Sequence, residues 1–167
     1  MTTDSKPGQL KYSQFYWIFF LLFPFMMQGF KPEEIAPNTP MSLPIEAQLV
    51  SDNKAIQLEV ARTSSAIKTG LAFRDSIPDD RGILYAIDST SQTSFTGKDN
   101  KFATELLFFK GERVAYIQQV EPCSDEKCLN YRTNQPYDRV IEVKAGISNQ
   151  LKMSIGSKVD IRFLPKH

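Results

Sequence analysis

The chain has 167 residues, 41% of them hydrophobic and 23% charged, with 20 basic against 19 acidic side chains and a net charge of +1. That is enough chain for one domain with a proper core. The lack of any basic excess argues against a nucleic-acid partner.

Residues 15–30, FYWIFFLLFPFMMQGF, carry no charge. As a helix the run would extend about 24 Å at roughly 1.5 Å per residue, against a hydrocarbon core of about 30 Å, close to the lower limit for a span. Its end, from Met26 to Phe30, offers no A-x-A arrangement for a signal peptidase, which favours a retained signal-anchor over a cleaved leader. Lys6 and Lys11 precede the run, whereas Lys31 is followed by Glu33 and Glu34. The positive-inside rule therefore puts residues 1–14 in the cytoplasm and everything after the run in the periplasm or an equivalent lumen. The expected anchor side chains, facing the lipid bilayer, are Phe15, Trp17, Phe19, Phe20, Leu21, Leu22, Phe23 and Phe25. A buried soluble helix fits less well, because the run is Phe-rich on every face and is interrupted by Pro24. Residues 31–44 hold four prolines, which fix φ and remove donors, and they predict an extended spacer.

The folded domain is expected over 45–167. IEAQLV and AIQLEVA flank Ser51-Asp52-Asn53-Lys54, which reads as a hairpin with a four-residue loop. Alternation in the second strand puts Ile56, Leu58 and Val60 toward the core and Gln57 and Glu59 toward solvent. TSSAIKTG, with Thr63 or Ser64 as N-cap and Gly70 as stop, predicts a helix of about two turns. GILYAI from Gly82 is the next strand; TELLFF and RVAYIQQV then flank Lys110-Gly111-Glu112 as a second hairpin, with glycine where positive φ is needed. RVIEV from Arg139 and KVDIRFL from Lys158 complete the strands, and AGISNQLKM between them suggests a second short helix. The expected fold is mainly β: an antiparallel sandwich or barrel of about seven or eight strands with one or two short helices.

The order IQLEVARTSSAIKTGLAFRDSIPDDRGILYAI, then a Phe-rich strand, GERVAYIQQVEPCSDEKCLNY and RVIEVKAGISNQLKMSIGSKVDI resembles the domain of unknown function 192 family from Ile56 to Ile161. The most specific pieces are Gly70-Leu71 with Arg74, Gly82 to Tyr85, Pro122-Cys123 with Cys128 and Tyr131, and Glu142 followed by Ala145-Gly146. The resemblance implies a small exported or membrane-anchored protein with a mainly β fold, and implies no particular enzymatic activity. The family signature, F-W-M-K-N-T followed by P-L-D, falls on FTGKDNKFATE. Phe95 and Lys98 match it. Thr96 and Gly97 stand where Trp and Met are usual, Asp99 and Asn100 where Asn and Thr are usual, and Ala103-Thr104-Glu105 replaces Pro-Leu-Asp. A ligand or partner surface built on this signature would include Phe95, Lys98, Asp99 and Glu105, with Arg74 and Tyr131, and would here have lost its aromatic anchor.

Little in the chain suits catalysis or a bound cofactor. Its single histidine is His167, so a Ser or Cys nucleophile lacks a base, and two cysteines alone leave a tetrahedral zinc site half empty. Asp79-Asp80, between Pro78 and Arg81-Gly82, reads as a solvated turn. Glu105 lies in an apolar strand, where it either faces outward or lines a polar pocket with Lys98 and Asp99. No glycine-rich phosphate loop is present. No catalytic residue, metal site or cofactor is therefore expected.

Cys123 and Cys128 could form a disulfide, half a metal site or a redox couple. Beyond the membrane the surroundings are oxidising, so a disulfide is expected. Closing so short a loop contributes about 2 kcal/mol, a local clip. The preferred functional expectation is a non-catalytic, membrane-anchored accessory or assembly subunit that docks its β-domain on a membrane protein complex. The alternatives are a periplasmic module binding a small molecule or glycan near Lys98, Asp99 and Glu105, and an enzyme of unrecognised type.

Overall fold

The computed structural model describes residues 38–87, 93–124 and 127–165. The expected cytoplasmic segment, the anchor and most of the spacer lie outside them. Among the described residues no helix is long and apolar enough to cross a membrane.

The strands are β1 (Ile45–Ser51), β2 (Lys54–Ala61), β3 (Arg81–Tyr85), β4 (Thr104–Lys110), β5 (Arg113–Val120), β6 (Arg139–Lys144) and β7 (Asp160–Phe163), with α1 (Ser64–Thr69) after β2 and α2 (Ile147–Gln150) after β6. Among the described residues these seven strands lie in one sheet, in the order β5-β4-β6-β3-β2-β1-β7. Every neighbouring pair is antiparallel except β2 and β3, which run parallel and are joined through α1. The expected mainly β fold is present, but in place of a closed antiparallel sandwich or barrel it is a single sheet curled into a half-barrel, with one parallel pair. Its two ends meet at one corner, where Val114 N–H donates to Ser157 O at 3.0 Å and Val159 N–H donates to Glu112 O at 2.9 Å.

Local chemistry accounts for the turns. Ser51 pairs with Lys54, so the first hairpin loop has two residues and not the four expected. Asp52 and Asn53 both have positive φ, 47° and 62°, the pairing that matches the twist of the flanking strands. Gly111, at φ 59°, turns the second hairpin as expected. Helix α1 starts at Thr63, whose Oγ1 accepts from Ala66 N–H at 3.1 Å, and stops at Gly70.

The sheet is buried on both faces. On β4, Leu107 and Phe109 join the cluster of Leu49, Leu58, Ile141 and Val159 inside the curl, while Leu106 and Phe108 join Leu71, Ile83, Phe95 and Val140 outside it. A strand covered on both sides reads as a continuous apolar run, which TELLFF is. Met41 and Leu43 pack on the outer cluster, so the last residues of the proline-rich segment belong to the domain.

Covering the outer face overturns the expected exposure of Glu59. Its alternation is as expected, but the segment after α1 lies over it and leaves it 7% exposed. Burial is made tolerable by a two-pronged pair: Arg74 Nη1 and Nη2 donate to Glu59 Oε1 and Oε2 at 2.8 and 2.7 Å, and Leu43 N–H donates to Oε2 at 2.7 Å. Removing one partner of such a pair strands the other charge. Arg74→Met or Glu59→Leu alone should each lower the unfolding free energy by about 3 kcal/mol, and the double variant should recover most of that loss. Urea unfolding of the four proteins checks this; strictly additive losses would show that the two side chains act independently.

Candidate functional site

A cleft of about 930 Å³ opens on the outer side of the sheet. One wall is the end of α1 and the residues that follow it, 67–73; the other is the segment 93–100, and the floor is formed by Tyr85 and Glu142. The dimensions suit a small molecule.

The floor is assembled from three strands. Tyr85 on β3 and Thr104 on β4 both donate to Glu142 on β6: the Tyr85 hydroxyl to Oε2, and Thr104 Oγ1 to Oε1 at 2.7 Å. All three are buried. Gly70 closes over them with φ 50°, and a Cβ there would stand 2.3 Å from the Tyr85 hydroxyl, so both backbone and space demand glycine. Gly70, Tyr85 and Glu142, three residues that carry the family resemblance, therefore meet at one point.

Burial dominates the electrostatics here. It raises the Glu142 carboxyl above the usual 4.5, against the lowering effect of the hydrogen bonds from Tyr85 and Thr104 and of the Arg74 charge. Burial, then the Glu142 charge, raise the Tyr85 hydroxyl well above 10. Asn100, 9% exposed, lines the same cleft. Its side chain hydrogen-bonds toward Glu142 and so favours the carboxylate, although Nδ2 falls short of a well-formed bond.

The wall at 93–100 is fixed from behind. Phe95 exchanges backbone hydrogen bonds with Tyr131 at 2.9 and 2.7 Å, and its ring lies 5.1 Å from Tyr85 and 6.1 Å from Phe108. Cys123 N–H donates to Gly97 O at 2.9 Å and Asp99 N–H donates to Cys123 O at 2.7 Å. Cys123 is in turn held by the expected disulfide to Cys128, with Cα atoms 5.7 Å apart. The two segments approach so closely that a Cβ on Gly97 would lie 1.9 Å from Glu121 O. The family's methionine has no room on this backbone. Asp99 and Phe73 both take positive φ, 61° and 66°, and Phe73 N–H donates to Asp99 O at 2.8 Å. That tie joins the two walls and holds both residues in a conformation non-glycine residues seldom adopt.

Of the six surface residues expected from sequence, Phe95, Lys98 and Asp99 line the cleft. Arg74 lies behind the floor on Glu59, and Tyr131 braces the wall from outside. Glu105 is neither outward-facing nor part of the cleft. It is 6% exposed and accepts from Gly146 N–H at 2.8 Å and Ser148 N–H at 3.0 Å, satisfying the first amides of α2. Sequence reasoning missed Glu142, Tyr85 and Asn100 as site residues. The signal for the first two was a polar group in each of two otherwise apolar strands.

Two outcomes follow from this geometry. Gly97→Ala should destabilise the domain by about 1–3 kcal/mol, seen as a lowered urea midpoint; an unchanged midpoint would show that the two segments can separate freely. The unfolded chain releases the Glu142 proton near 4.5 while the folded chain keeps it to higher pH. Glu142 alone therefore makes stability fall as pH rises from about 4.5 to its folded value, beyond which its contribution stays constant. Comparing urea midpoints across pH, that fall should be present in the wild type and absent in Glu142→Gln.

Two solved structures share the fold. One is a crystal structure of a protein of unknown function from Novosphingobium aromaticivorans, 20% identical with a TM-score of 0.60, covering 73% of this chain and 92% of that one. The other is a Sinorhizobium meliloti protein named as a proposed transcription regulator, 21% identical with a TM-score of 0.61, covering 72% and 95%. No curated protein matches the sequence. Residues 47–161 match the profile of the DUF192 family, described as "Uncharacterized ACR". The chain belongs to the domain of unknown function 192 family.

Proposed function

We propose that the domain is a non-catalytic binding module that holds a small polar molecule in the cleft above Glu142 and Tyr85. The observation that carries this reading is Asn100: a buried amide lining the cleft beside the Glu142 carboxyl, whose Nδ2 makes no well-formed hydrogen bond there. A ligand acceptor would offer it a better-aligned partner. The ties across and behind the cleft support the same reading, because a wall fixed in advance loses little freedom on binding. Against catalysis stand the chemistry of the floor, where both Glu142 oxygens already accept hydrogen bonds, and the bonding of both cysteines to each other.

The disulfide also supports an extracytoplasmic placement, since such bonds persist in oxidising compartments. Docking on a membrane protein complex, as an accessory subunit anchored by residues 15–30, is a separate proposal. Exposed Leu129, Ile155 and Phe163 are described side chains that such a partner could cover.

Asn100→Leu separates a binding role from a structural one. Replacing a buried amide that makes no well-formed hydrogen bond by an apolar group of similar size should change the melting temperature of the free protein little. Ligands found by screening polar small molecules against the wild type should bind this variant at least about tenfold more weakly. A screen in which every wild-type ligand binds the variant equally well would sink the reading.

A further inference from the structure

The cleft's free charges are selective. Among the described residues, Lys54, Lys101, Lys110, Lys144, Lys152 and Lys158 each have a hydrogen-bond or ion-pair partner. The ammonium groups of Lys68 and Lys98 have none among the described residues, and both line the cleft. They come from different elements, Lys68 from the last turn of α1 and Lys98 from the facing segment. A lone exposed lysine is ordinary, but two unpaired ones sharing a cleft with a buried amide that makes no well-formed hydrogen bond give the cleft a surplus of donors. The protein's own carboxylates do not supply the match. Glu142 already accepts from Tyr85 and Thr104 and faces Asn100, which leaves the two lysines unmatched, and Asp99, half-buried, lines the cleft beside them without bonding to them.

The geometry points to a small hydroxylated carboxylic acid, of the size of a sugar acid, as the ligand class: its carboxylate lies between Lys68 and Lys98, an oxygen accepts from Asn100 Nδ2, and hydroxyl groups donate to Asp99. This rests on the binding-module reading and adds the charge of the ligand to it. Each protein group is then matched by the complementary one. Charge-assisted contacts at the cleft mouth add to the neutral hydrogen bond inside it.

A pair of probes isolates the charge. D-glucuronate and D-glucuronamide have the same skeleton and differ by one carboxylate against one amide. Titrated calorimetrically into the full chain in mild detergent, glucuronate should bind about tenfold or more tightly than glucuronamide. The preference should shrink as ionic strength rises and vanish in Lys68→Met/Lys98→Met, whose substitutions fall on exposed side chains. Asp99→Asn should weaken both probes alike. Equal binding of the two probes overturns the inference and leaves the binding module standing. So does failure of both probes when a neutral molecule from the screen binds in an Asn100-dependent manner. If neither the probes nor any screened molecule binds, the inference and the binding module fall together.

Discussion

The buried carboxyl of Glu142 is the constraint around which the outer side of this domain is organised. A carboxyl group this far from water must have its oxygens satisfied, and Tyr85 from β3 and Thr104 from β4 donate to them, with Asn100 beside them. Those two strands flank β6 on either side, so one side chain stitches three neighbouring strands at the level of their side chains as the ladder does at the backbone. Gly70 follows as a consequence. Any larger residue at the end of α1 would collide with the Tyr85 hydroxyl, and the helix would have to lift away from the sheet. Helix position, strand alignment and cleft floor are thereby set together.

What the sequence made legible, and what it hid, divides along physical lines. Local patterns survived well: alternation located the strands, Thr63 and Gly70 bounded α1, and the turn residues marked both hairpins, because each depends on a few neighbouring residues. Predictions that required knowing what lay across a strand fared differently. Glu59 alternated outward as expected, yet its outward face is inside the domain, since the segment carrying Arg74 returns over it. Glu105 looked like an exposed or pocket residue, whereas its partners are the amides of Gly146 and Ser148, far along the chain. A charge in an apolar strand announced a partner but could not name it.

The altered signature teaches a related lesson. With Thr96 and Gly97 in place of Trp and Met, the segment seemed to have lost its binding character. The structure gives these changes another meaning. Gly97 lets the segment lie directly against Glu121 and Cys123, and this close backbone pairing fixes the wall from which Lys98, Asp99 and Asn100 face the cleft. An aromatic anchor has been exchanged for a rigid backbone edge.

The strand order carries a last consequence, for how the domain comes into being. β1, at the start of the domain, pairs with β7 near the end of the chain, through Ala47–Phe163 to Val50–Asp160. The sheet cannot close until β7 has been made. Sheets built on such distant pairings fold slowly, because the entropy of bringing the ends together is spent before the contacts form. Closure of the sheet thus waits on β7.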